Sequence, residues 1–201
     1  MGRPREHDEA TRDRLLQAAE SLSATEGWDA VTVRAVAEAA ATSTRAVYAL
    51  FGSKEGLEQA LHEAMFTRLR DLERARERCE DPRADLIALS LAYRRWAVER
   101  PERYALAMHR FVGRDARSRS EEGMAISREA LAELVNAVER CHQAGMIAGE
   151  PADVVLHLRA VVHGLAEFEN IGLLGPDPER HWHMVISSVL DGYLRAPAAA
   201  A

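Results

Sequence analysis

Lysine is almost absent from this 201-residue chain: 25 of its 26 basic side chains are arginine, and Lys54 is the only lysine. Its position is therefore informative. Lys54 follows Ser53, a favourable N-cap residue, so the sequence predicts that it opens a helix. A cation at that end opposes the helix dipole by about 0.3–1 kcal/mol, and a bound anion such as a DNA phosphate would remove the conflict. A solvated surface lysine is the simpler alternative.

The sequence also lacks long apolar runs and has few cysteines, which argues against a membrane protein and against a disulfide-rich or metal-binding protein. Apolar runs stay well short of the roughly 20 residues that a membrane helix needs, and no signal peptide is recognisable, so we expect a cytoplasmic protein without a membrane partner. The only two cysteines, Cys79 and Cys141, lie far apart and lack metal-ligand spacing. Structural thiols are the expected reading of both.

Excess basic charge is missing as well. The formal net charge is −6, and residues 1–55 carry seven basic and nine acidic side chains. A general nucleic-acid binder carries a broad basic face, so this class is disfavoured. A sequence-specific DNA reader remains compatible, with weak non-specific affinity and a modest salt dependence.

The motifs of common enzyme classes are missing too. No phosphate-binding glycine loop, nucleophile elbow or HExxH sequence occurs. His181 and His183 resemble a metal pair, but two positions on a helix diverge by about 200°, which prevents chelation. We expect no catalytic residue, no metal and no cofactor.

Apolar residues at helical spacing predict three helices before Lys54. The first runs from about Glu9 to Glu26 and ends at Gly27, while Thr32 caps a short second helix. Ser43 caps a third helix, over 44–50. Its join to the second is only about three residues long, which is typical of a helix–turn–helix.

The third helix has one face suited to DNA. Val47, Leu50 and Phe51 are predicted to face inward, which turns Thr44, Arg45 and Tyr48 outward together. Arginine can donate two hydrogen bonds to guanine in the major groove, and hydroxyl groups hold phosphates. The candidate DNA contacts in this region are Thr32, Ser43, Thr44, Arg45, Tyr48 and Lys54.

The N-terminal segment adds two candidates, Arg3 and Arg5. Pro4 and the free terminus predict that residues 2–5 are not helical. Arginines on an extended arm suit an A·T-rich minor groove. An uninvolved tail explains the segment equally well.

These residues and their spacing resemble the TetR/AcrR family of transcriptional regulators over about residues 10–60. The resemblance is carried by Leu16, Ala18, Ala19, Leu22, Gly27, Thr32, Val36, Ala37, Ser43, Ala46, Val47, Tyr48, Phe51, Ser53, Lys54, Glu55 and Leu57. It implies a DNA-binding domain over residues 1–55. One departure is Ala41, where the family usually has glycine; a positive φ there would cost on the order of 1 kcal/mol.

Residues 56–201 predict further helices, giving an all-α fold of about nine in total. The fourth helix dissolves into a solvated, arginine-rich end over 74–78, and the last two helices are expected over 151–174 and 178–194. Three short segments resemble a TetR subgroup marked by a His-Gly pair, known as the WHG subgroup: Tyr93-Arg-Arg-Trp96-Ala, Pro101-Glu-Arg-Tyr104 and Val162-His163-Gly164. In the family this part of the chain dimerises and encloses a small-molecule pocket.

The last two helices carry more apolar residues than one contact face needs, which predicts a four-helix homodimer interface. Those residues are Val154, Val155, Leu158, Val161, Val162, Leu165, Met184, Val185, Val189, Leu190 and Tyr193. Candidate pocket residues are Trp96, Tyr104, Met108, Phe111, Met124, His163, Glu167 and Phe168. Core packing or a helix–helix hydrogen bond explains each of these singly.

The leading hypothesis is a homodimeric repressor that binds a palindromic DNA operator and is released by a small apolar effector. One rival is an effector-independent DNA-binding protein or activator of the same fold. Another is a helical protein–protein module with a vestigial helix–turn–helix.

Overall fold

The computed structural model describes residues 5–108 and 121–194, and this part of the chain is helical without any β-strand. Within these described ranges there are nine α-helices: α1 Arg5–Glu26, α2 Val33–Ala39, α3 Thr44–Phe51, α4 Lys54–Ala75, α5 Pro82–Glu99, α6 Pro101–Ala105, α7 Glu121–Gln143, α8 Pro151–Asn170 and α9 Pro178–Asp191. A 3-10 helix at Trp28–Ala30 joins α1 to α2. The all-α prediction is confirmed for the described residues.

The helices form two compact units. Unit one comprises Met1–Phe66 and Glu102–Met124, and unit two comprises Thr67–Pro101 and Ala125–Ala201. Helix α4 therefore contributes residues to both.

The core of unit one is built where α1 packs against α2 and α3. Its largest fully buried aliphatic side chains include Leu15, Val31, Val36, Leu57 and Leu61. Arg103 on α6 donates to Oε2 of Glu20 on α1 at 2.5 and 3.1 Å, and both side chains are largely buried. This ion pair fixes α6 to the first helix.

The core of unit two is built where α5, α8 and α9 pack together. Arg94 on α5 donates two nitrogens to the carboxylate of Glu169 on α8, at 2.8–3.1 Å. Trp182 on α9 is fully buried and donates its indole N–H to the same carboxylate at 2.7 Å. One glutamate thus joins all three helices.

The end of α4 is not solvated as the sequence predicts. The helix stops at Ala75, and the side chain of the next residue, Arg76, is only 5 % exposed because it pairs with Asp85 at 3.0 Å. Asp85 is completely buried and also accepts from Arg140 at 2.7 Å and from the backbone N–H of Cys79 at 3.2 Å. Neighbouring arginines Arg74 and Arg78 are exposed, as expected.

Three predicted helix ends are also wrong. Helix α1 begins at Arg5 rather than near Glu9, since Pro4 restricts the residue before it and not the one after it. Helix α8 ends at Asn170, not Leu174, because Gly172 at φ 77° turns the chain and the N–H of Leu173 returns to the carbonyl of Phe168. Helix α9 ends at Asp191 rather than at residue 194.

Six of the eleven apolar residues that suggested a dimer interface in the last two helices are buried inside unit two. Val154, Val155, Leu158, Val162, Leu165 and Leu190 are buried within the single chain. The apolar side chains that α8 and α9 leave exposed are mainly different ones, including Leu156 and Phe168; Met184 alone belongs to both sets. The buried residues belong to the core of unit two, and the position of the dimer interface stays a prediction.

Among the described residues, no helix combines the length and apolar character needed to cross a membrane.

Candidate nucleic-acid interface

Helix α3 is fixed by its cap and by one buried side chain. Ser43 has an extended backbone, and its Oγ accepts the backbone N–H of Ala46 at 3.3 Å. Val47 is completely buried and anchors the helix to the core, whereas Thr44, Arg45 and Tyr48 are all exposed. The structure therefore brings the three outward residues onto one free face.

Helix α2 is capped in the same way. The hydroxyl oxygen of Thr32 accepts the N–H of Ala35 at 3.1 Å, and the side chain is exposed. Since the oxygen is used as an acceptor, the hydroxyl hydrogen of Thr32 is still available for a phosphate. The same argument applies to Ser43.

The turn between α2 and α3 places an alanine where glycine is favoured. The N–H of Ala41 bonds to the carbonyl of Glu38, and that of Thr42 to Ala37, which is the hydrogen-bond pattern of a Schellman motif. Ala41 has φ 50°, the only positive φ of a non-glycine residue in the described part of the chain. The expected strain, on the order of 1 kcal/mol, is therefore present in the turn that aims α3.

The first turn of α4 holds the single lysine. Ser53 Oγ accepts the N–H of Gly56 at 3.1 Å and caps the helix. Hydrogen bonds from its own backbone N–H and from Ser53 lower the pKa of Glu55. The ammonium of Lys54 lies 5.9 Å from the ring centre of Trp28, a cation–π contact that orients it. Trp28 carries no recognisable signal in the sequence.

Gly56 is a second residue whose role the sequence did not reveal. A Cβ added there would lie 1.9 Å from the carbonyl oxygen of Phe51, the last residue of α3. The backbone at the start of α4 therefore lies so close to the end of α3 that position 56 has no room for any side chain. This close approach constrains how α3 and α4 meet.

The N-terminal candidates cannot both be placed. Arg3 lies outside the described residues. The prediction that Arg5 is non-helical is wrong, because Arg5 is the first residue of α1; the position of its side chain is outside the description. An extended minor-groove arm is therefore limited to residues before Arg5.

The candidate pocket residues divide between the two units. In unit one Tyr104 is fully buried and Met108 is partly exposed, whereas Phe111 and the side chain of Met124 are outside the described part. In unit two Trp96 is buried, Glu167 is partly buried and Phe168 is half exposed on the surface of α8.

His163 lies inside unit two and joins α8 to α5. Its Nδ1 lies 2.6 Å from the hydroxyl of Tyr93. Burial, with a smaller contribution from Arg159, lowers the pKa of His163 to about 4, so the imidazole is neutral at pH 7. Cys141 is likewise buried, which raises the pKa of its thiol to about 11. The lowered pKa makes His163 a weak base, and the raised pKa keeps Cys141 as an unreactive thiol.

Metal binding finds no support in the part of the chain that the structure describes, where no three His, Cys, Asp or Glu side chains are grouped for coordination.

Two family models match the chain. Residues 15–61 match the model of bacterial regulatory proteins of the tetR family, and residues 86–189 match the tetracyclin repressor-like C-terminal domain. The second match alone covers more than half of the sequence. The chain belongs to the TetR family of transcriptional regulators. It is thus a DNA-binding regulator, in a family that is generally not enzymatic, and membership of the His-Gly-marked subgroup stays a prediction.

Solved structures support the TetR fold. A protein of unknown function from Rhodococcus sp. RHA1 is 27% identical with a TM-score of 0.78, covering 92% of this chain and 95% of its own. A TetR family transcription regulator from Marinobacter aquaeolei VT8 is 24% identical with a TM-score of 0.77, over 96% and 100% of the two chains. A tetR-family bacterial regulatory protein from Rhodococcus RHA1 is 20% identical with a TM-score of 0.74, over 93% and 98%. No curated protein matches this sequence.

Proposed function

We propose that this TetR-family regulator is a homodimeric repressor that binds a palindromic operator and is released by a small apolar molecule. Residues 1–55 form its DNA-binding domain, and residues 56–201 bind the effector and dimerise. The observation that carries the proposal is the free face of α3, with Thr44, Arg45 and Tyr48 exposed beside Lys54 at the start of α4.

Each of these side chains suits a different part of the duplex. Arg45, in the first turn of α3, reaches base edges in the major groove, where a guanidinium bonds guanine with two N–H groups. Thr44, Tyr48 and the cap hydroxyls bond phosphates that fix the register. Lys54, held beside Trp28, adds positive charge at the N-terminus of α4, where the helix dipole also favours an anion.

Arg45→Ala is expected to weaken operator binding by about 1–3 kcal/mol, or roughly 5–150-fold, and to relax the preference at one base pair. Lys54→Ala should weaken binding to all sequences alike and lower the salt slope by about one. Bound duplexes are first selected from a random pool, and affinities are then measured by gel shift at several salt concentrations.

Arg95→Ala serves as the control, because Arg95 is exposed on α5 in unit two, away from α3, α4, α8 and α9 in the chain. Full-strength binding by both the Arg45 and Lys54 variants would overturn the proposed contacts.

The exposed apolar side chains of α8 and α9 favour a second copy of the chain as partner. Leu156 is 59 % exposed and Met184 is 48 % exposed, and Phe168 lies further along α8. Exposed apolar side chains on two adjacent helices are typical of an interaction surface, and two such pairs form a four-helix interface with two-fold symmetry. Such symmetry matches a palindromic operator with half-sites about 34–36 Å apart or more.

The double variant Leu156→Glu, Met184→Glu is expected to convert the protein to a monomer of 22.3 kDa, because it buries four unpaired carboxylates in the symmetric interface. Light scattering after size exclusion measures the mass. Ala144→Glu, an exposed site beyond α7, is the matched control and should stay dimeric. A double variant that keeps the mass of the dimer excludes this surface as the interface.

Effector release requires a path from unit two to the DNA-binding helices. Helix α4 contributes to both units, and the Arg103–Glu20 ion pair fixes α6 to α1 within unit one. We infer that the effector, bound in unit two among residues such as Trp96, His163 and Glu167, shifts α4 and moves the two copies of α3 out of register on the operator. A complete switch needs a ligand preference of about 5.5 kcal/mol between the two states, which a buried ligand can supply. Screening metabolites for release of a bound operator tests this step.

A further inference from the structure

Helix α8 presents one face that the described part of the chain leaves largely uncovered. Leu156 is 59 % exposed and Phe168 is 50 % exposed, and His157 and Ala160 between them are exposed as well. At Gly164 an added Cβ would have no atom within 4 Å, so the backbone itself is open to a neighbour. Since each residue turns a helix by about 100°, these positions share a sector about 120° wide and form one continuous face.

This face of α8 has a two-fold repeat about residue 162. Ala160 and Gly164 lie two positions on either side of the midpoint, and His157 and Glu167 lie five positions on either side. A two-fold axis perpendicular to α8 at the midpoint reverses the helix and sets each residue level with its counterpart in a second copy. Ala160 then meets Gly164, and two such small residues let the helix backbones approach closely.

The outer pair of residues is chemically complementary. The Nδ1 atom of the exposed His157 contacts the hydroxyl of Tyr193, and when that hydroxyl donates to Nδ1, the imidazole hydrogen is on Nε2. The Nε2–H group can then donate to the carboxylate of Glu167, which is only partly buried. Antiparallel pairing brings these two groups together twice. Parallel pairing would set each residue against itself, with two Glu167 carboxylates side by side, so the charges favour the antiparallel arrangement.

We propose that α8 packs antiparallel against α8 of a second copy, with Ala160 and Gly164 at the centre of the contact. His157 of each chain donates to Glu167 of the other. This inference rests on the proposed homodimer and specifies the register of its interface. The apolar residues at the two edges of the face extend the contact toward α9 of the second copy. Because Glu167 is also assigned to the effector site, an effector that bonds this carboxylate competes with His157 and changes how the two copies meet.

The first test crosslinks the full-length protein through single introduced cysteines, in a Cys79→Ser background that leaves only the buried Cys141. Ala160→Cys places the two thiols about 6 Å apart along the helices, so a short bismaleimide should join most chains into a dimer. Ala152→Cys, at another exposed alanine of α8, is the matched control. Its two copies lie about 30 Å apart along the helices, so crosslinking should stay at background. Background crosslinking at position 160, or equal crosslinking at both positions, overturns the proposed register.

The second test measures whether His157 and Glu167 meet across the interface, from the dimer dissociation constants obtained by analytical ultracentrifugation. His157→Ala and Glu167→Ala should each raise the constant about fivefold or more, because the symmetric dimer loses two contacts at once. The double variant should be no weaker than the weaker single one. Within one chain the two residues are about 15 Å apart along α8, too far to couple inside the monomer. Effects that multiply in the double variant contradict the contact.

The two proposals fail in distinguishable ways. A protein that light scattering shows to be dimeric, but whose Ala160→Cys variant is not crosslinked above background, refutes only the register of α8. A protein that is monomeric at every concentration tested refutes the proposed homodimer itself, and this inference with it.

Discussion

Asp85→Ala is expected to lower the free energy of unfolding by about 3–5 kcal/mol, because it leaves buried positive charge without its counter-ion. Asp85 is completely buried and accepts three hydrogen bonds, from Arg76, from Arg140 and from the backbone N–H of Cys79. Of the two arginines it serves, Arg76 has no other hydrogen-bond partner for its guanidinium group. The loss corresponds to a fall in melting temperature on the order of 10 °C for a domain of this size.

Urea denaturation followed by circular dichroism measures this effect. Asp71→Ala is the matched control: Asp71 also pairs with an arginine, Arg70, but it is exposed, so its loss should change stability little. Asp85→Asn separates charge from shape, since an amide can still accept from Arg140 but brings no counter-charge. A loss below about 1 kcal/mol for Asp85→Ala would show that water reaches the cluster freely.

Local chemistry explains what the sequence could predict. Ser43, Thr32 and Ser53 were identified as caps because a cap depends only on the cap residue and the next three positions, and all three accept the predicted type of bond. The positive φ of Ala41 follows from the same local geometry. The order of the helices follows from the spacing of apolar residues. The same spacing predicts the outward face of α3, because the burial of Val47 determines which side of this short helix faces the core.

Partners that are distant in sequence explain what could not be predicted. In the sequence, Arg76 cannot be distinguished from its exposed neighbours Arg74 and Arg78. Its burial depends on Asp85, which pairs with both Arg76 and Arg140 in the folded chain. The apolar residues of α8 give a similar example: α8 packs against α5 and α9, and Val154, Leu158 and Val162 are buried within the single chain. Periodicity identifies an apolar face, but not which neighbour covers it.

In the candidate DNA-binding site, too, some residues could be predicted from the sequence and others could not. Thr44, Arg45, Tyr48 and Lys54 could be selected from the sequence because their roles depend on position along two helices. The contact of Lys54 with Trp28, 26 positions earlier, depends on how the 3-10 helix packs, and no local pattern announces it. The structure therefore adds the residues that orient the DNA contacts.

Gly56→Ala is expected to weaken DNA binding strongly, although it adds only one methyl group. A Cβ at position 56 would lie 1.9 Å from the carbonyl oxygen of Phe51 and 3.0 Å from its carbonyl carbon, and neither is a flexible side-chain atom. Backbone must therefore move, at a cost of about 1–3 kcal/mol or more in stability. The movement opens the α3–α4 junction and displaces Arg45 relative to Lys54, so operator affinity should fall on the order of 100-fold.

Fluorescence anisotropy with the selected operator, together with calorimetric melting, separates the two consequences. Gly164→Ala is the control for folding: Gly164 is also helical, but no atom lies within 4 Å of its added Cβ, so the fold should be retained. If the Gly56 variant melts as a folded protein yet has lost the operator, the α3–α4 angle itself determines binding. Unchanged affinity would mean that the two proposed contacts, Arg45 and Lys54, do not act on one duplex together.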